Sequence, residues 1–237
     1  REMGEVGMNH NFVINRFENS SELDKQLCLR IVNLLKKGIE KNGFASLIVS
    51  GGSTPRNLFK LLSKEKLDWE KVYITLADER LVDVNHEDSN ENMLRKTLLQ
   101  NEAKKATFVG LKQDEEDIKK AEQLCNEALK KFPFPATVCI LGMGEDGHTA
   151  SLFPNSKELA GIVYEKQLTC KICKPKYSLH KRITLTPEVI GSSDNLFLHI
   201  IGKKKQEVLK VALEKGDVFS MPIRLFLANP RLEAFVT

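Results

Sequence analysis

Residues 20–42 place apolar side chains at Leu23, Leu27, Ile31, Leu34 and Leu35, the spacing that lines one face of a helix. Serines open this stretch and Gly43 follows it, the usual start and stop signals. FASLIV (44–49) is a continuous apolar run, short enough for a strand covered on both faces. SGGSTPRNLFKLL (50–62) then changes the period: a glycine turn, a Ser/Thr cap, proline at the first helical position and an amphipathic helix.

The alternation continues. VYITLA (72–77) predicts a second strand, followed by the charged loop DERLVDVNHEDS (78–89) and a helix over 89–100. Residues 114–131 predict a helix rich in strong helix formers. ATVCIL (136–141) predicts a third strand, and RITL (182–185), NLFLHII (195–201) and IRLFLA (223–228) predict three more. A helix over 203–214 separates the last two, and residues 154–181 are irregular apart from LTCKIC (168–173), which reads as a strand. Strands alternating with helices predict an α/β protein, with a Rossmann-like, mostly parallel sheet carrying helices on both faces. No linker or repeat interrupts the series, so a single domain over residues 1–237 is expected.

Composition narrows the function classes. A chain of 237 residues with 41% hydrophobic content can bury one large core. Its net charge of +4 arises from 36 basic and 32 acidic residues interspersed along the chain. That balance argues against a nucleic-acid surface and suits a pocket for a small anion. No apolar run approaches the roughly 20 residues of a membrane span, so no membrane partner is expected. REMGEVGMNHNF lacks the apolar centre of a secretory signal. Met8 is a candidate natural start, which would make residues 1–7 vector-derived.

Five cysteines are an odd number, and Cys28, Cys125 and Cys139 sit within apolar patterns. Buried free thiols in a reducing cytoplasm explain them better than a disulfide framework. Cys170 and Cys173 have the spacing of half a zinc site, but no second pair completes it. Positions three apart on a strand also face opposite sides, so no metal is expected there.

In an open parallel sheet, ligands collect beyond the carboxyl ends of the strands. Three unusual loops leave such ends: SGGSTP, DER and GMGEDGH. The glycines and hydroxyls of SGGST are either a phosphate cradle or a plain helix cap; the nucleotide P-loop spacing is absent. Asp78, Glu79 and Arg80 are either a surface charge trio or part of a site. Arg182 and Lys205 stand at the edges of predicted strands as candidate partners for an anion. Three lysines opening a helix (203–205) oppose its dipole unless an anion binds there. His148 is the best single candidate for proton transfer, with Asp146 two residues away to orient it. Of the other histidines, His10 is terminal, His86 lies in a polar loop and His199 reads as a satisfied core residue. His180, beside Lys181 and Arg182, is a candidate ligand contact.

Six blocks, VSGGSTP, LADERLV, SNENMLRKTLL, LGMGEDGHTASLFP, RITLTPEVI and the G-x-x-K of Gly202 to Lys205, together resemble the 6-phosphogluconolactonase family, in that family's order. The resemblance implies a glucosamine-6-phosphate isomerase-like fold. It also implies hydrolysis of 6-phospho-D-glucono-1,5-lactone to 6-phosphogluconate in the oxidative pentose phosphate pathway, without a cofactor. On that reading His148 activates water, Arg80 stabilises the developing oxyanion, and Asp78 and Asp146 hold these groups and sugar hydroxyls. Gly51, Gly52, Ser53, Thr54, Arg182 and Lys205 would then hold the 6-phosphate. Ser151 is packing or a substrate contact rather than a nucleophile, since GxSxG is absent. The partner implied is a small sugar-phosphate lactone, and the chain is expected as a monomer or small homo-oligomer. The related glucosamine-6-phosphate deaminases share the DGH triplet but continue to a glutamate where this chain has Phe153, and have tyrosine where it has Arg80. That activity, or a non-catalytic sugar-phosphate-binding module, is the alternative.

Overall fold

In the computed structural model, which describes residues 12–113 and 116–237, the long amphipathic stretch forms α1 (Ser20–Asn42). Leu23, Leu27, Ile31 and Leu35 lie on its buried face, and the helix ends at Gly43 in left-handed backbone. The cap is Asn19 rather than a serine: its side chain accepts the Glu22 N–H at 2.9 Å. Met8, His10 and the first two residues of the helix expected at 114 lie outside the described residues.

Seven strands form one parallel sheet in the order β1 (Val13–Arg16), β10 (Leu232–Val236), β9 (Asn195–Ile200), β6 (Val138–Leu141), β2 (Ala45–Val49), β3 (Val72–Leu76), β5 (Thr107–Val109). Every residue of β2 and β6 is buried, which explains their unbroken apolar runs. α1 packs across β2, β6 and β10. The chain builds β2, β3 and β5 outward, then returns to place β6 on the other side of β2. At that reversal the loops after β2 and β6 diverge and leave a crevice, the position where such sheets take ligands.

The remaining strands form a separate antiparallel sheet in the order β4 (Asp78–Arg80), β8 (Arg182–Leu185), β7 (Cys170–Cys173). RITL is therefore not a strand of the parallel sheet; it pairs with the DER segment, which is itself a short strand. The register sets Asp78 opposite Thr184 and Arg80 opposite Arg182.

The further helices are α2 (Arg56–Ser63), α3 (Asn90–Thr97), α4 (Ile118–Ala128), α5 (Leu159–Val163), α6 (Pro187–Gly191) and α7 (Lys203–Ala212). IRLFLA is not a strand but contains the helical turn α8 (Arg224–Leu227). Ile223, Phe226 and Leu227 are buried there at three- and four-residue spacing, and the last strand is β10. One contiguous hydrophobic core holds these elements together, with Trp69, Phe59 and Phe197 among its largest fully buried side chains.

All five cysteines are buried and unpaired. Cys173 Sγ lies 3.2 Å from the Ser151 carbonyl, whereas Cys170 Sγ faces the Glu122 carbonyl on α4. The two thiols thus point to opposite sides of β7, as strand geometry requires. Among the described residues no helix is long and apolar enough to cross a membrane.

Candidate active site

The glycine turn after β2 leads into α2 through Pro55, and no side chain caps that helix. The expected Ser/Thr cap does not form: Pro55 is itself the N-cap, and its backbone already has helical angles. Ser53 and Thr54 instead line the cavity with Ser50, Gly51 and Gly52. Gly51 is required sterically. A Cβ there would lie 2.1 Å from Asn90 Oδ1.

Asn90 ties this turn to the DER strand. Its amide donates to the Asp78 carbonyl at 3.0 Å, and its Oδ1 accepts from Arg80 Nη1 at 2.9 Å. Glu79 points away from the cavity and caps α3: its carboxylate accepts the N–H groups of Arg80, Asn90 and Glu91 at 2.7–2.8 Å. Burial pushes its pKa up to about 7, while those three N–H groups pull it back down. Folded protein therefore holds this proton where an unfolded chain, with the ordinary value of 4.5, has lost it. The contribution of Glu79 to stability falls as pH rises from about 4.5 to about 7 and then levels. Urea midpoints should show that decline, and Glu79→Gln, which cannot titrate, should remove its share. An unchanged slope in the variant would count against this account.

The GMGEDGH loop folds back on itself. Gly147 N–H donates to the Gly144 carbonyl, Gly144 N–H donates to the His148 carbonyl, and Gly147 takes φ 82, a conformation that glycine adopts without strain. Asp146 Oδ1 accepts both the His148 backbone N–H at 3.0 Å and a contact with ring Nδ1 at 2.5 Å. Partial burial opposes ionisation of Asp146, but the His148 bond holds its carboxyl below the usual range. With Nδ1 committed to Asp146, Nε2 is left as the basic nitrogen. The imidazole lines the cavity and is about one-third exposed. Asp146 does not line the cavity and reaches it only through His148.

Asp78 is buried and accepts from Ser151 Oγ at 2.6 Å, with Arg182 Nη1 3.8 Å from the same oxygen. That bond commits the Ser151 hydroxyl to Asp78, consistent with a packing role. Arg80 and Arg182 face each other across the β4–β8 ladder, and the Nε of each is buried without a partner. Burial draws the Arg182 pKa down, with Asp78 opposing. Like charges opposed in a ladder are destabilising unless something answers them. Asp78 supplies one negative charge, and the cavity in front of them can hold another.

Lys205 closes the cavity from the start of α7, while its neighbour Lys204 pairs with Glu145 at 2.8 Å. His199 also lines the floor: it is buried, with Nε2 3.1 Å from Asp24, although its Nδ1 finds no partner. The cavity, open to solvent on one side, has a volume of about 240 Å³.

Asn90, Gly144 and Phe153 complete the site without having been singled out as site residues, whereas Glu79, weighed with Asp78 and Arg80 as part of a site, serves α3 instead. The Phe153 ring stacks on His148 with centroids 4.6 Å apart, and the Arg182 guanidinium sits 5.3 Å from the same ring's centroid. The N-cap serine ahead of α3 was a usable signal for that helix start. No pattern in the chain signals the stacking or the steric role of Gly144.

Fold and site define an α/β protein with an anion-receptive pocket at the carboxyl ends of its central strands. The model of the family described as glucosamine-6-phosphate isomerases/6-phosphogluconolactonase matches residues 18–235, and the chain belongs to that family. A 6-phosphogluconolactonase of Pseudomonas aeruginosa is 39% identical over 215 residues, 90% of each chain. One from Neisseria meningitidis is 35% identical over 228 residues, covering 95% of this chain and 98% of the relative. The crystal structure of a 6-phosphogluconolactonase from Shewanella baltica superposes with a TM-score of 0.93 at 43% identity, covering 97% and 98% of the two chains.

Proposed function

We propose that this chain hydrolyses 6-phospho-D-glucono-1,5-lactone to 6-phosphogluconate, with His148 as general base. The observation that carries the reading is an imidazole held at Nδ1 by Asp146 in the wall of a cavity whose other walls are a glycine turn, two arginines and Lys205.

A lactone is an activated ester, so water needs only deprotonation and the carbonyl oxygen only charge stabilisation. His148 Nε2 takes a proton as the water oxygen bonds to the lactone carbon. Negative charge grows on the carbonyl oxygen, where Arg80 answers it. Collapse breaks the bond to the ring oxygen, which receives the proton from His148. Arg182, Lys205 and the turn of Gly51, Gly52, Ser53 and Thr54 hold the phosphate and set the register of the ring. Asp78 keeps Arg182 and Ser151 in place. Phe153 and Arg80, at the positions where the deaminases carry glutamate and tyrosine, favour the lactonase over that alternative.

Acid release should be followed after fresh lactone is generated in place, with spontaneous hydrolysis subtracted. Acceleration is expected; no acceleration, or ammonia release from glucosamine 6-phosphate, would overturn the assignment. Binding without turnover would favour the non-catalytic module. Lys205→Met should mainly raise KM, by about 10–150-fold, the equivalent of about 1.5–3 kcal/mol of charge-assisted bonding. A fall in kcat alone would move Lys205 into the chemistry.

A further inference from the structure

We infer that His86, Asp88 and His180 form a binding site for one divalent transition-metal ion of the zinc class, a clamp outside the reaction cavity. His180 Nε2 lies 2.8 Å from Asp88 Oδ2, and His86 Nδ1 lies 3.9 Å from the same oxygen. One donor atom from each residue falls within 4.8 Å of the others. Two ligands about 2.0–2.1 Å from a tetrahedral ion stand about 3.4 Å apart, so the three donors bracket the required spacing. Shifts at the ends of the side chains suffice to close it.

The chemistry of the donors sets the class of ion. Two imidazoles and one carboxylate suit zinc, cobalt, nickel or copper and disfavour magnesium and calcium. His86 is exposed and the other two are half-buried, so an ion can enter from solvent and keep a water as its fourth ligand. The nearby Arg80 cation opposes a metal, but it is bound to the Asp88 main-chain carbonyl at 3.1 Å, not to the carboxylate. Coordination through His86 Nδ1 would replace the bond this atom now accepts from Asp88 N–H at 2.9 Å.

None of the three residues lines the reaction cavity. They join two loops that each carry part of it. His86 and Asp88 follow the strand that bears Arg80, and His180 stands two residues before Arg182. The His180 loop also bears Tyr177 and Leu179, both more than nine-tenths exposed. An ion here would tie that loop to the Arg80 loop without touching substrate, whatever the reaction.

The test uses the full chain, reduced and stripped with chelator. Zinc is titrated by calorimetry and cobalt(II) by its visible absorption, both at pH 7.5. One ion per chain is expected. His86→Ala and His180→Ala should each weaken binding at least tenfold, and His148→Ala should leave it unchanged. His86 is exposed, so its variant keeps the test usable if the His180 variant misfolds. Absence of saturable binding, equal affinity in the His86 variant, loss of binding in His148→Ala, or thiolate-to-cobalt charge-transfer bands would each overturn the proposal.

Discussion

His148→Ala should lower kcat by about 10²–10⁴-fold while leaving KM within a few-fold, the usual loss when a positioned general base is removed. The geometry makes this the largest single effect at the site. The ring is held by Asp146 at Nδ1 and packed on Phe153, so its basic nitrogen keeps one orientation. Its side chain is about one-third exposed, so truncation leaves no buried void and the fold should persist. Steady-state kinetics with circular dichroism decides the matter: near-normal turnover in a folded variant would refute the base assignment.

A second large loss is expected from a residue that carries no functional group. In Gly144→Ala the added Cβ would lie 2.1 Å from both Cε1 and Nδ1 of the His148 ring, and 2.9 Å from Asp146 Oδ1. Contacts that short cannot persist, so the imidazole must swing away from Asp146. Gly144 is not among the residues with positive φ, so alanine fits the backbone itself. The expected result is a fall in kcat of about 10²-fold with a stability change of no more than about 1–3 kcal/mol. The two substitutions act on the same ring, so their effects should not add. Gly144→Ala in the His148→Ala background should cost almost nothing more. Full additivity would show that Gly144 matters for another reason.

How much of this was legible in the chain differs by element. α1 and α7 and the central strands β2, β3 and β6 were read within two residues of their observed ends, because burial imposes a period on them. β1, β4, β5 and β10 were missed. The first three have three or four residues, too few for alternation to register, and β4 is charged throughout; the apolar run IRLFLA was taken for the last strand in place of β10. IRLFLA was misread because a short apolar run has no period, and only the fold decided between a turn of helix and a strand.

The site divides the same way. Three loops at strand ends met as anticipated because parallel topology brings carboxyl ends together. The Asp146–His148 pair was legible from spacing alone. The pairing of Arg80 with Arg182 was not, since it depends on a second sheet whose strands lie about 100 residues apart in the chain. Asn90 and Gly51 depend on each other's volume, which no single-residue pattern records.

On the proposed reading, the facing guanidinium groups of Arg80 and Arg182 bear on the end of the catalytic cycle as well as its start. Opening a lactone creates a free carboxylate, so the ligand leaves with one more negative charge than it had on arrival. Two fixed cations attract that product more strongly than the ester it came from. Accumulated acid should therefore compete with the lactone for the cavity, and raising ionic strength should ease that inhibition by screening the attraction.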